Sequence, residues 1–302
     1  MRVYAPRGYR EFCCLMGDCR HSCCRGWEID IDKASLEKYR SLPGALGERL
    51  RQHIDAENAC FRLDEEERCP FLRRDGLCDL ILEGGEGMLC QICADHPRFR
   101  NFYSERIEIG LGLCCEGAGM LFLSRQEKAA IEILEDGEET LTPEEADFLL
   151  WREELIEILQ DRSVSLEKRL SALLNGEKPD DLFDYLPLFL QLEHMEDQWP
   201  IFLRQLQERK EMWQGKKLPS WLEIPMEQLL FYLFYRHLSP ALDDGLYEER
   251  LRFCLLMQQL ISALCALEEC TDTAQLAEIA RLFSAEIEYS DENMMALLEA
   301  LQ

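Results

Sequence analysis

Cys19-Arg20-His21-Ser22-Cys23-Cys24-Arg25-Gly26-Trp27 is the stretch that decides how this chain reads, because three thiols fall within six residues. Cys14 precedes it, so the spacing is Cys-x4-Cys-x3-Cys-Cys. Downstream come Cys69-Pro70-Phe71-Leu72 and Gly76-Leu77-Cys78. Then follow Cys90-x2-Cys93 with His96-Pro97-Arg98 just beyond, and Leu113-Cys114-Cys115-Glu116. Thiolates must converge on one ion or cluster, and turns with one to four intervening residues bring them together at little cost. A single cysteine is more often a small buried hydrophobe. Twelve of the 15 cysteines, however, lie within the first 115 residues, which packing alone does not require. The candidate ligands are therefore Cys14, Cys19, Cys23, Cys24, Cys69, Cys78, Cys90, Cys93 and Cys115.

One site needs about four ligands. The surplus implies a second site, packing thiols or redox thiols. Adjacent thiolates seldom both serve one site, so one of Cys23 and Cys24 is expected to be spare. Cys254, Cys265 and Cys270 sit on apolar helical stretches and read as packing residues. All-thiolate ligation fits zinc or an iron–sulfur cluster equally. The start, Met1-Arg2-Val3-Tyr4-Ala5-Pro6-Arg7-Gly8, has no apolar leader, and a cytoplasmic location is expected. Thiols stay reduced there, which favours ligation over a disulfide framework.

Charge divides the 302 residues. The formal net charge is −26, with only −3 of it in residues 1–125 and −23 in residues 126–302. Thirteen of the 17 glycines also fall in the first part, so the two parts read as different kinds of structure. The expected domains are 1–125, a cysteine-rich metal or iron–sulfur domain, and 126–302, an acidic α-helical domain. Such a charge repels phosphate and anionic lipid, excluding general nucleic-acid and membrane-surface binding. The most apolar stretch, Leu251–Leu267, reads as too short to span a bilayer. The acidic helices read first as solvated faces. A sharper reading is a surface that attracts lysine-bearing segments.

The expected fold is mainly α: short β-hairpins wrapped around a metal or cluster site, then an all-α part. Glu28–Lys33 alternates polar and apolar as a short strand, and Ser35 reads as the cap of a helix over 35–41. A further helix is expected over 45–57. Asp75-Gly76 between apolar runs signals one hairpin, and Ser104-Glu105-Arg106 a second. Short helices are expected over 86–94 and 115–123. Thr142-Pro143-Glu144-Glu145 is a strong helix start: a cap, a proline at the first position, then acids that match the dipole. Further helices are expected near 165–174, 181–193, 197–213, 225–238, 244–269, 272–287 and 291–301.

Other patterns carry less. No Cys-x3-Cys-x2-Cys loop of the radical type is present, and Ile81–Gly87 reads as a turn rather than a nucleotide loop, since no βαβ series follows. His21 and His96 are possible auxiliary ligands.

The cysteine order resembles the flagellin lysine N-methylase family, within a wider group of zinc- or iron-chelating cysteine-cluster proteins. The carrying pieces are Phe12-Cys13-Cys14, Cys19-x3-Cys23-Cys24-x2-Trp27 with Ile29-Asp30-Ile31-Asp32, Cys69-Pro70-Phe71-Leu72, Gly76-Leu77-Cys78, Cys90-x2-Cys93-x2-His96-Pro97-Arg98 and Leu113-Cys114-Cys115-Glu116. Met226–Arg236 is similar to the family's aromatic helix. Around Glu116-Gly117-Ala118-Gly119 the chain departs from the family pattern. The resemblance implies transfer of a methyl group from S-adenosylmethionine to lysine amines of flagellin, and an iron–sulfur cluster, 4Fe–4S, in the enzyme. Methyl transfer needs a neutral amine. Tyr103, Glu105, Glu108 and Tyr232 are candidate bases, each with a better structural reading. The competing reading is a non-enzymatic zinc or iron–sulfur module whose acidic helices dock a partner.

Overall fold

A computed structural model describes residues 1–213 and 219–302. It resolves into two compact units: Cys13–Arg98, and Met1–Phe12 together with Phe99–Gln302.

The smaller unit holds helices α1 (Lys33–Ser41), α2 (Gly44–His53), α3 (Asp79–Gly84) and α4 (Gln91–Asp95). Residues 29–31 do run extended, paired with 59–61: the Ile31 amide donates to Ala59 O, and the Phe61 amide to Ile29 O. The α1 cap is Asp32 rather than Ser35. The Ser35 amide donates to Asp32 Oδ1 at 2.9 Å, which makes Ser35 the third helical residue. The Asp75-Gly76 turn forms as expected, with Gly76 at φ +79° and Leu72 bridged to Cys78. The segment 81–87 is the end of α3 and a 3-10 turn, with Gly85 at φ +79°. Ile29, Tyr39, Leu50, Phe61, Phe71 and Leu80 form the core, with Phe61 and Phe71 edge to face at 5.2 Å.

The larger unit pairs a mixed sheet with helices. Its strands are β1 (Arg2–Pro6), β2 (Arg98–Phe102), β3 (Arg106–Leu111) and β4 (Ile131–Glu135), in the order β2-β3-β1-β4. β1 runs parallel to β3 with Val3 opposite Ile107, and antiparallel to β4 with Tyr4 opposite Ile133. Two expectations change here. The second hairpin, β2-β3, is part of this sheet, so residues 99–125, with Cys114 and Cys115, group with the helices and not with residues 13–98. The acidic part is also not all-α, because Ile131-Glu132-Ile133-Leu134-Glu135 finds a strand partner in β1, far away in sequence.

Helices follow: α5 (Glu116–Leu123), α6 (Pro143–Leu159), α7 (Leu166–Leu173), α8 (Leu182–Phe189), α9 (Gln198–Glu208), α10 (Lys210–Trp213), α11 (Glu223–His237), α12 (Ala241–Asp244), α13 (Tyr247–Leu267), α14 (Thr273–Phe283) and α15 (Asp291–Ala300). A single π-helical turn, Ser284–Glu288, leaves α14. The Thr142 capping box forms in full, with the Glu145 amide on Thr142 Oγ1 and the Thr142 amide on Glu145 Oε2. Glu145 Oε1 also accepts from Ser104, which ties the hairpin turn to α6. α11 and α13 are buried nearly all round. Each large apolar side chain so buried contributes roughly 1.5–3 kcal/mol. With 21 residues, α13 is long and apolar enough to cross a membrane, contrary to the reading of 251–267, because the helix begins four residues earlier; 78% of its apolar window is buried in the protein.

Candidate cysteine centre

Five of the nine candidate thiols share the core of the smaller unit. Cys69 and Cys90 are buried in it, and Cys24, Cys78 and Cys93 pack against it. Local backbone chemistry places each. The Cys69 amide donates to Cys24 O at 2.8 Å, so the two loops run side by side. Asp64 Oδ1 accepts from the Glu66 and Arg68 amides and shapes the turn before Cys69. Cys78 closes the Asp75-Gly76 turn and precedes α3, while Cys90 precedes α4 and Cys93 lies within it.

Asp32 is the hinge of this arrangement. One carboxylate oxygen caps α1 through Ser35, and the other accepts the Gln91 amide at 2.8 Å, next to Cys90. These backbone bonds hold its pKa down at about 2. The hydroxyl of Tyr39, a fully buried side chain on α1, donates to Met88 O at 2.6 Å and fixes the turn leading into Cys90. Sequence reasoning passed over Asp32, although an Asp before a helical run is itself a capping signal.

The thiols feel one another. Burial pushes Cys69 up to about 12, and the charges of Cys24, Cys78 and Cys90 push the same way. Burial also raises Cys78, with Cys24 adding to it. Cys90 and Cys93 are hydrogen-bonded, sulfur to sulfur, at 3.6 Å. One proton then serves two sulfurs, so Cys90 is lowered and Cys93 raised. Cys24 is lowered to about 7, first by a hydrogen bond from the Cys23 thiol. Of the adjacent pair, Cys24 therefore joins the group and Cys23 supports it. Burial holds His96 near 4 and keeps it neutral, with its ring 6.0 Å from that of Trp27.

The other candidates lie elsewhere. Cys14 and Cys23 are exposed and Cys19 half-buried. Cys14 Sγ accepts the Met16 amide at 3.4 Å. Cys115 belongs to the larger unit, at the start of α5, packed with Leu111, Ala118 and Phe122.

The donor set suits a thiophilic group. Two sulfurs on one tetrahedral zinc, each about 2.3 Å from it, stand roughly 3.8 Å apart, and Cys90 and Cys93 match that edge. Among the described residues, however, no three His, Cys, Asp or Glu side chains are gathered to hold a metal ion. Binding would require the five thiols to draw closer.

The candidate bases resolve as structural groups. Glu108, fully buried on β3, takes a bidentate pair from Arg152 of α6 at 2.6 and 2.7 Å, and a further bond from Arg106. Burial opposes its charge, but Arg152 prevails and the pKa is lowered. The Tyr103 hydroxyl donates to Glu108 at 3.2 Å, and Glu105 pairs with the chain's amino terminus at 3.4 Å. The Tyr232 hydroxyl donates to Glu288 on the π-helical turn at 2.7 Å. Arg236, His237 and Ser284 also meet Glu288, which stays ionised with a pKa of about 2. Cys114, which the reading of the sequence left unassigned, lies beside Tyr289 and Arg236; burial raises its thiol to about 12.

Fold and site define a class: a small cysteine-centred unit carried between Phe12 and Phe99 of a mainly helical protein with a mixed sheet. Curated relatives match in alignments of 121 residues that cover 37% of this chain. They are lysine-N-methylases of Salmonella choleraesuis, 29% identical, and Salmonella typhimurium, 28% identical, and the flagellar biosynthetic protein FliU of Salmonella muenchen, 27% identical. The match spans 30% of each lysine-N-methylase and 72% of FliU. These names agree with the resemblance carried by the cysteine order. No protein-family model matches the chain, and no solved structure matches it.

Proposed function

We propose that this chain is a cytoplasmic protein-lysine N-methyltransferase that acts on flagellin, takes its methyl group from S-adenosylmethionine, and binds an iron–sulfur cluster or zinc through Cys24, Cys69, Cys78, Cys90 and Cys93. The observation that carries the reading is the meeting of these five thiols in one core, in a chain whose curated relatives are named lysine-N-methylases.

The chemistry asks specific things of the chain. The S–C bond of the donor breaks as the N–C bond forms, and the lysine must first lose its proton. Glu108 and Glu288 are unsuited to take that proton, since Arg152 and Arg236 hold both as weakly basic carboxylates. When bound, a metal group would supply positive charge among thiols that otherwise repel one another's charge. Asp32 and Tyr39 would keep the Cys90 segment in register for it.

The test is co-expression with flagellin, followed by mass spectrometry of its lysines. Methylated lysines are expected with the intact chain, and loss of methylation with Cys90→Ser/Cys93→Ser. Unmodified flagellin beside folded, metal-loaded protein would overturn the enzyme reading and favour the second one, a non-enzymatic metal module. The short share of each lysine-N-methylase that is matched supports that alternative. Absorption spectra with elemental analysis separate iron from zinc.

A further inference from the structure

Cys254, Cys265 and Cys270 read from the sequence as packing thiols. Cys254 is one, fully buried in α13. Cys265 and Cys270 differ, because the end of α13 sets them against each other. The helix closes in a Schellman cap: the Cys270 amide donates to Cys265 O at 2.9 Å, and the Glu269 amide to Ala266 O at 3.4 Å. Glu269 takes the left-handed conformation that this cap requires, at φ +52°. Such a cap is commonly sealed by a contact between the side chains of its first and last residues. Here those residues are the two cysteines, and their thiols share a hydrogen bond. A disulfide needs Cα atoms within about 7 Å, and a direct backbone bond between the two residues brings them into that range.

Both flanks of the pair are anchored. Before it, the Glu268 amide donates to Leu264 O at 2.9 Å. After it, the Thr271 amide donates to Gln275 Oε1 at 2.7 Å, and the Gln275 amide to Asp272 Oδ1 at 2.9 Å, which caps α14. The sulfurs stay together unless one of these caps opens.

The two thiols are unequal. Cys265 is fully buried, whereas Cys270 is half-buried at the loop. The hydrogen bond from Cys265 lowers the pKa of Cys270, against burial and the charges of Glu268 and Asp272. The same bond, and then burial, raises Cys265. Cys270 is thus the reachable and more acidic sulfur, and Cys265 the protected one. A reactive thiol beside a resolving thiol is the arrangement of a redox sensor.

We propose that Cys265 and Cys270 form a reversible redox pair that closes to a disulfide when the protein meets a hydroperoxide. The Cys270 thiolate attacks the peroxide: an S–O bond forms, the O–O bond breaks, and the departing oxygen leaves protonated, as water from hydrogen peroxide. Cys265 then attacks the Cys270 sulfur: the S–S bond forms, the S–O bond breaks, and water leaves with the Cys265 proton. Two thiols are oxidised and one peroxide is reduced. An added thiol reverses the step by exchange. The pair lies in the larger unit, outside the five-thiol group, and does not depend on the methyltransferase reading.

The experiment treats the full, metal-loaded chain with hydrogen peroxide, then alkylates it and digests it with trypsin. Cleavage after Arg252 and Arg281 places both cysteines on the peptide 253–281. That peptide should lose two hydrogens, with fragment ions placing the bridge between residues 265 and 270, and dithiothreitol should restore both thiols. In Cys265→Ser, Cys270 has no resolving partner and should gain oxygen, passing to the sulfinic acid that dithiothreitol does not reverse. In Cys270→Ser, Cys265 should remain a free thiol. Circular dichroism melts check that both variants fold, and the result on the parent chain stands without them. Exposed Cys13 gauges the oxidant. The pair is overturned if both thiols of the parent stay free in peroxide that oxidises Cys13. It is equally overturned if Cys270 gains oxygen while Cys265 stays free, or if either sulfur bridges to another cysteine.

Discussion

The two units are held together by different physics. Residues 13–98 rest on a small core and on turns fixed by single polar bonds: Asp64 at its turn, Asp32 between Ser35 and Gln91, and Tyr39 on Met88 O. The larger unit buries α11 and α13 almost completely and places full ion networks inside, around Glu108 and Glu288. A unit of the first kind has the smaller core, and a bound metal adds folding free energy to such a unit. A unit of the second kind needs no such help. The difference is testable by perturbing each unit separately.

The largest effect is expected from metal. A chelator should strip hydrogen-exchange protection from residues 13–98 and leave α11 and α13 protected, with a loss on the order of several kcal/mol confined to the smaller unit. Equal loss in both units would break the comparison.

Next comes the larger unit's own weak point. Arg152→Leu leaves Glu108 charged and buried, and should cost about 3–5 kcal/mol in urea unfolding. Replacing both, Arg152→Leu with Glu108→Gln, should cost less. Acid should act through the same networks. The fold lowers the pKa of Glu108, and that of Glu288 to about 2, so their stabilisation is complete above the ordinary carboxyl pKa of 4.5 and drains away as pH falls toward 2. Glu286, two residues from Glu288, has the opposite sign. Burial raises it to about 7 even though it accepts the Met195 and Glu196 amides. Its contribution is full below 4.5 and is lost as pH rises through 7. Unfolding of Glu286→Gln should therefore depend less on pH between 5 and 8 than that of the parent, and Glu288→Gln should flatten the acid limb.

Much of this was legible in the sequence, and the gaps have a common cause. Local signals carried the helices: the helix start at Thr142-Pro143, the Asp75-Gly76 turn and the apolar runs of α11 and α13 all form as read. Features that depend on distant partners were not legible. β1 and β4 make a sheet only with one another and with β3, so Ile131–Glu135, set among acidic helical sequence, gave no sign of being a strand. The cysteine order marked nine candidates. Which five meet depends on the pairing of the Cys24 and Cys69 loops across more than forty residues, and no spacing rule encodes that. Asp32 and Ser35 are both capping residue types, and only the geometry separates the cap from its third helical residue.

Asp32→Ala tests how much the smaller unit leans on that one side chain. It removes the α1 cap and the bond to Gln91 together, so a loss of roughly 1–2 kcal/mol is expected, near the upper end for a cap. Asp32→Asn should recover part of it, because the amide oxygen can still accept one of the two bonds.

The narrowest contrast is expected between Gly76 and Gly26. The φ of +79° at Gly76 suits glycine, and a Cβ there would lie 2.9 Å from Gly17 Cα, backbone that cannot swing aside as a side chain would. Gly76→Ala should therefore cost more than the ~1 kcal/mol of a left-handed alanine in open space. Gly26, at φ +84° with nothing within 4 Å of its Cβ position, is the matched control and should cost only that amount. Thermal melts of the two variants, taken with and without chelator, separate strain from contact. If Gly76→Ala melts no lower than Gly26→Ala, the close approach of the 15–18 and 73–77 turns contributes nothing to the smaller unit. Its order would then rest on Asp32, Tyr39 and whatever the five thiols bind.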